Sequence, residues 1–337
     1  MRSYIASVSY YLKSPTLLFM FLVIVSIVIA RIAGLTTLDT LILLMAFLGM
    51  AASLNIIMGF AGYVSFGHAV FLGIGGYTYV LLVYFFSPLN SLQHAAGGIG
   101  AFMVAIIAGL ICAIVAASVG AAVLRLRGAF FAIATLGLNF AVLYIVKGIV
   151  PTLNPEQFFA AQVILPARAL VHKSLIFNAM VITLTVILLT NYIIKKSRFG
   201  MGLIAIKEDE DAAEVLGVPT FKYKTLAFAV SAFFTGIIGA LISLNGGGVD
   251  EAIFRVGHTI DMIVMIVIGG LGTALGPLVG GLIYYWLYDL LLVHYPGINL
   301  MILGVLVALI VLFAPEGVIG ILRKYSIGKV KLKDVLE

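Results

Sequence analysis

The chain has 337 residues, of which 63% are hydrophobic and 10% charged, against about 25% charged in soluble globular domains, and its mean hydropathy is +1.21. That balance excludes an ordinary soluble enzyme, because no water-facing surface could hide so many apolar residues; the solvent must be lipid. The net charge of +6, from 20 Lys and Arg against 14 Asp and Glu, does not mark a nucleic-acid binder either, since the basic residues sit at the ends of apolar runs.

At about 20 residues per helical span, the length holds roughly eight to eleven spans. Apolar runs bounded by Gly, Pro or charge predict helices near 16–34, 38–59, 63–86, 97–124, 128–150, 174–194, 225–245, 258–270, 275–293 and 298–321. The first run follows a short basic region (Arg2, Lys13) and has the look of a signal peptide, but no A-x-A site follows it and the next run starts within ten residues. It is read as an uncleaved first span. The run 258–270 is too short to cross unaided and reads as a half-span or part of a re-entrant element. The fold class is therefore all-α: a polytopic transmembrane bundle of about ten spans, with 1–337 forming one integral membrane domain. Cys112, the only cysteine, lies in an apolar run, so neither an intrachain disulfide nor a cysteine zinc site is available.

Charge sets the orientation. With a cytoplasmic N-terminus, ten spans put 15 basic residues inside: Arg2, Lys13, Arg125, Arg127, Lys195, Lys196, Arg198, Lys207, Lys222, Lys224, Arg323, Lys324, Lys329, Lys331 and Lys333. Five fall outside: Arg31, Lys147, Arg168, Lys173 and Arg255. Nine or eleven spans would put the basic tail 322–337 on the wrong side, so an even count with both termini in the cytoplasm is expected.

Two connections stand out. Residues 151–173 carry Pro151, Pro155 and Pro166 and predict a structured external loop with a short interfacial helix. The loop 195–224 is charge-dense, and five of the fourteen acidic residues fall between Glu208 and Glu214. In DEDAAEVLG (209–217) the acids favour a helix N-terminus, and Gly217 followed by Pro219 supplies a stop. This short helix is either a solvated surface element or a docking helix, in which small Ala212 and Ala213 allow close approach and Glu210 and Glu214 offer charge.

The glycines carry the other signal. GFAGYVSFGHAVFLGIGGY (59–77) holds six glycines, Gly59, Gly62 and Gly67 among them, interleaved with aromatics and with Ser65 and His68. A membrane helix tolerates this where neighbours or a cavity satisfy the backbone. Close helix packing explains Gly73, Gly75 and Gly76; for Ser65 and His68 a pathway role and an inward-packed role both stay open. GGLGTALGPLVGG (269–281) is similar: Gly276 and Gly280 form a GxxxG pair, and Pro277 starts or interrupts a helix. VSFGHA and FRVGHT share a Gly-His step, a weak trace of internal duplication. There is no phosphate loop for ATP hydrolysis, no full dinucleotide fingerprint and no His or carboxylate cluster at metal spacing. Nothing is catalytic.

Together, GFAGYVSFGHAVFLGIGGYT (59–78), RLRGAFFAIATLG (125–137), SRFGMGLIAIKEDEDAAEVLG (197–217), IGGLGTALGPLVGG (268–281) and LFAPEGVIG (312–320) resemble, in order, the blocks of branched-chain amino-acid ABC transporter permeases of the LivM-like branch. The resemblance implies a multi-pass subunit of a binding-protein-dependent importer in the bacterial inner membrane. Its implied partners are a homologous second permease, two cytoplasmic ATPases that bind the ATP, and a periplasmic substrate-binding protein; no cofactor, metal or nucleic acid of its own is implied. It also implies that Glu210, Asp211, Ala212, Ala213, Glu214 and Gly217 form a coupling helix seated on an ATPase, with Asp211 where a leading Glu is common. Asn55, Ser65, His68, Thr135 and Asn139 are the polar residues expected to line or support the translocation path. Gly59, Gly62, Gly67, Gly270, Gly272, Gly276 and Pro277 are expected at packing or hinge positions. The substrate stays open between branched-chain amino acids, other amino acids, and urea or short amides. A channel or secondary transporter acting alone would need intramembrane ionisable groups, for which the candidates are Asp261, His68 and His258, each expected near a span boundary.

Overall fold

A computed structural model describes residues 15–32, 36–85, 99–154, 161–165, 171–294 and 317–324, with isolated residues between these stretches. Its helices are α1 (Pro15–Ile32), α2 (Leu38–Ala61), α3 (Ala69–Phe85), α4 (Ile99–Val123), α5 (Gly128–Leu153), α6 (Lys173–Lys196), α7 (Arg198–Glu208), α8 (Glu210–Val215), α9 (Thr220–Asn245), α10 (Val256–Gly269), α11 (Gly276–His294) and α12 (Gly317–Lys324). By length and composition five of the described helices are long and apolar enough to cross a membrane: α2, α4 from Gly100, α5, α6 and α9. α3 and α10 are shorter apolar helices. Most of the predicted tenth span, 298–321, and the basic tail beyond 324 lie outside the described residues.

α9 is the hub, packed against α2, α3, α4 and α6, while α10 and α11 form a hairpin against α2. Their long middle stretches are apolar whether they face protein, as most of α2 does, or lie largely outside it, as most of α4 does. α5 differs: Phe131, Thr135, Asn139 and Val150 are its buried residues. The first three recur at i, i+4 and i+8, a single stripe along one face.

The contacts sort the connections to two ends. At one end the α4–α5 turn, the α6–α9 connection and the end of α2 meet, through Arg127 with Asp211, Lys224 with the Leu124 carbonyl and Lys207 with the Gly59 carbonyl. At the other end strands β1 (Val163–Ile164) and β2 (Gly248–Val249) pair antiparallel, Val163 opposite Val249. Lys173 with Asp39 and Lys147 with Glu251 pair there too.

Two expectations are corrected. The predicted span 63–86 is helical from Ala69, because residues 62–68 run as turn and extended chain. The predicted loop 195–224 contains an eleven-residue helix, α7, that the charge density hid. The external loop contributes β1 among its described residues. The short run near 258–270 is α10, of 14 residues, about 21 Å at ~1.5 Å per residue and short of the roughly 30 Å hydrocarbon core.

Candidate functional site

The site begins where α2 stops. Gly62, at φ +76°, donates its N–H to Met58 and turns the chain out of the helix, a left-handed conformation that glycine adopts without a Cβ penalty. Beyond it Phe66 and Ala69 carry backbone donors without helical partners, and threonines on other helices supply the acceptors. Phe66 N–H donates to Thr135 Oγ1 of α5 at 3.2 Å, and Ala69 N–H donates to Thr259 Oγ1 of α10 at 2.8 Å. Irregular backbone is tolerated at membrane depth only when satisfied in this way. The two Gly-His steps of the sequence thus come together, because Ala69 follows His68 and Thr259 follows His258. α10 consequently begins beside the start of α3, part-way through the bundle, and its end at Gly269 leads to Gly272, which lies against Gly59 at the basic end.

Beneath this break lies a knot of charge. Lys224, on the first turns of α9, is 3% exposed, and its ammonium donates to Glu210 Oε1 at 2.6 Å, to Tyr63 Oη at 2.9 Å and to the Leu124 carbonyl at 3.0 Å. All three N–H groups are used. Tyr63 in turn donates to the second Glu210 oxygen, and its ring lies 4.6 Å from the ammonium. Arg127 reaches Asp211 at 2.5 Å, Glu210 at 3.6 Å and Glu214 at 3.8 Å; the hydrogen bond to Asp211, then the Glu210 charge, raise its already high pKa. Asp209 caps α8 by accepting from Ala212 N–H, and Gly217 at φ +87° ends the segment in open space. α8 is therefore tied to the start of α9, the α4–α5 turn and the segment that leads into α3. Of its two alanines, Ala213 is buried against the body and Ala212 is exposed. The outermost apolar side chains are Val215 and Leu216, 87% and 82% exposed.

The buried polar residues divide into satisfied and unsatisfied groups. Asn55 donates to Asn191 Oδ1 at 2.9 Å and to the Thr273 carbonyl at 3.2 Å and accepts from Gly272 N–H at 3.4 Å, so its hydrogen-bonding capacity holds α2, α6 and the α10–α11 bend together. Ser231 bridges the Ser53 carbonyl and His68 Nε2 at 2.6 and 2.9 Å, midway along α9. This overturns the expected boundary position of His68, which is fully buried against Phe71 and Phe228. Asp261, also expected at a boundary, accepts a hydrogen bond from Tyr284 of α11. Asn139 donates to the Phe254 carbonyl at 2.8 Å. Ser65 Oγ, His68 Nδ1 and Asn139 Oδ1 are buried with no partner among the described residues.

The glycine positions are close approaches. A Cβ at Gly269 would collide with the backbone of Gly276 and Gly280, and one at Gly280 with the Met265 carbonyl, so the α10–α11 hairpin closes backbone to backbone as small-xxx-small packing requires. Pro277 is the second residue of α11 and starts rather than interrupts it. Gly67 lies against the Thr135 carbonyl and Gly270 against Gly317.

Sequence reasoning missed Tyr63, Lys224 and Asn191. Lys224 reads in the sequence as one more cytoplasmic cation of the KYK run; its distinguishing mark is that it falls three to four residues inside the apolar face of a helix, where a solvated lysine has no place.

Residues 36–314 match the family described as branched-chain amino acid transport system / permease component. The chain is 26% identical over 313 residues to the high-affinity branched-chain amino acid transport system permease protein LivM of Escherichia coli (strain K12), covering 85% of this chain and 71% of that one. It is 25% identical over 310 residues to the corresponding LivM of Salmonella typhimurium, covering 85% and 70%. A probable branched-chain amino acid transport permease protein LivM of Methanocaldococcus jannaschii is 25% identical over 310 residues, covering 80% and 89%. No solved structure matches the chain significantly. With a family match over most of its length, on the same blocks that build the break at 62–68, the charged knot and the α10–α11 bend, the chain belongs to the branched-chain amino acid permease family.

Proposed function

We propose that the chain is the membrane-spanning subunit of an ATP-driven importer of branched-chain amino acids, working by alternating access. The proposed assembly has a homologous second permease, two cytoplasmic ATPases and a periplasmic binding protein, and the chain crosses the bacterial inner membrane about ten times with both termini in the cytoplasm. The observation that carries this reading is the family match together with the tethering of α8: a short acidic helix is pinned by Lys224 and Tyr63 to the segment 62–68, while Val215 and Leu216 point away from the body. A push on α8 by an ATPase would move Tyr63 directly, and through it the irregular chain that leads to Ser65 and His68. That is a two-state element of the kind alternating access needs. Asn55 is proposed to brace the path, and Ser65, His68, Thr135 and Asn139 to line it.

A Val215→Asp, Leu216→Asp double variant tests this. Both side chains are exposed, so the permease is expected to reach the membrane at normal levels while ATPase copurification and leucine uptake are lost. Unchanged copurification and uptake would sink the coupling role of α8.

A further inference from the structure

A cavity of about 600 Å³ opens at the end of the molecule opposite the charged knot, within the ~300–1,000 Å³ span of small-molecule sites. Leu43, Phe47 and Met50 form its apolar wall on α2. Met50 lies 12 residues beyond Leu38, about 18 Å along the helix at ~1.5 Å per residue, so the cavity reaches roughly half-way across a ~30 Å hydrocarbon core. Asp250 and Arg255 also line it. They cap the two ends of the four-residue 3-10 turn Glu251–Phe254, and both are exposed.

Among the described residues neither has an ion-pair partner, and they do not pair with each other. Asp250 accepts from Ala252 N–H, which leaves most of its acceptor capacity open. Arg255 precedes Thr259 by one helical turn, and Thr259 holds the start of α3 part-way through the bundle. An exposed guanidinium with no ion-pair partner among the described residues is free to take an anionic group. It is also the N-cap residue of α10, so the positive end of that helix dipole lies beside it. Ser243, 2% exposed, lines the same space with an Oγ that has no partner among the described residues.

We infer that this cavity is the outward-facing binding site for the transported molecule, an α-amino acid with an aliphatic side chain: Arg255 takes the carboxylate, Asp250 the ammonium, and the Leu43–Phe47–Met50 wall the side chain. The inference rests on the proposed transport role and adds to it a place and the residues that would hold the zwitterion. An arginine fork matches a carboxylate bidentately. The opposite charges at the two ends of one short turn suit a zwitterion and not urea or an amide, which carries no charge to satisfy either. The volume exceeds that of a single leucine side chain, as a transient vestibule should.

Cys112 is the only cysteine and is fully buried, so Leu43→Cys places one accessible thiol on the cavity wall. In the complete importer reconstituted in proteoliposomes, the rate of labelling by a membrane-impermeant maleimide is followed as L-leucine, L-lysine or urea is added. Leucine is expected to slow labelling and the other two to leave it unchanged. Arg255→Gln, at an exposed position, is expected to cut both protection and leucine uptake by about tenfold, the worth of one charged hydrogen bond, and Arg255→Lys to recover part of each. Labelling indifferent to leucine in a preparation that still takes leucine up overturns the cavity assignment and leaves the transport role intact. Absence of leucine uptake in the Leu43 parent protein overturns the transport role and the inference with it. Protection by urea overturns the substrate class, and protection by the binding protein without amino acid makes the cavity a protein-docking surface.

Discussion

Lys224 and Lys173 each hold a carboxylate at hydrogen-bonding distance, 2.6 Å to Glu210 and 2.5 Å to Asp39, at opposite ends of the molecule. The geometry is nearly the same and the surroundings are not. The side chains of Lys224 and Glu210 are 3% and 12% exposed, whereas those of Lys173 and Asp39 are 52% and 53% exposed. In water an ion pair is screened and its partners are solvated when it breaks; under protein, loss of one partner strands the other. Charge at the end that carries Lys224 therefore fixes a position, and charge at the other end chiefly decorates a rim. The difference follows from topology: α8 lies over the turn between α4 and α5 and covers its own salt bridge, while Asp39 and Lys173 sit in the first turns of α2 and α6 and are about half exposed.

The largest expected effect comes from breaking the buried pair. Lys224→Met keeps the length of the side chain but leaves Glu210 with Tyr63 and the distant Arg127, and should cost about 3–5 kcal/mol of stability, read as a lowered unfolding midpoint in detergent. Adding Glu210→Leu removes the stranded carboxylate and should recover most of that loss. Uptake should stay low in the double variant, because α8 is no longer fixed to Tyr63. Recovery of uptake along with stability would mean that the pair is a fold element and not a coupling element.

An intermediate effect is expected part-way between the two ends, where threonine hydroxyls stand in for helical carbonyls. Thr135→Val and Thr259→Val preserve shape and remove the acceptors for Phe66 and Ala69 N–H; Thr259→Val should cost about 1–3 kcal/mol for an orphaned buried donor, and Thr135→Val less, because the Phe66 donor is only partly buried. If either variant is as stable as the parent, the break at 62–68 has another source of support.

That break also shows how far the sequence could be read. Hydropathy located the helices because burial in lipid or in protein selects the same side chains; for that reason it placed 63–68 inside a span, although Gly62 and the polar Ser65 and His68 lay in plain view. What supports the broken segment after Gly62 is a pair of threonine acceptors 69 and 190 residues away along the chain, and no local pattern reports them. The same holds for the candidate site. The acidic run 208–214 and the Gly217 stop were legible, because capping and dipole effects are local. Asn55 was legible as a buried polar residue but not as one already satisfied by Asn191, which is 136 residues distant. The side of α8 that turns inward was not legible at all: Ala212 and Ala213 are alike in sequence, and packing alone buries the second.

The smallest effect is expected from Lys173→Met. Both members of its pair are about half exposed, Asp39 keeps a second contact from Asn245 Nδ2 at 3.4 Å, and a carboxylate released at that rim is hydrated at once. The unfolding midpoint should stay within measurement error at physiological salt, with a small drop visible only at low ionic strength, where screening is weak. The salt series makes the contrast quantitative, because burial excludes the counterions as well as the water. The loss in Lys224→Met should hardly depend on salt and the trace effect in Lys173→Met should vanish with it. A salt-sensitive loss at Lys224 would mean that water reaches Glu210 in the folded protein, and the distinction between the two ends would fail there.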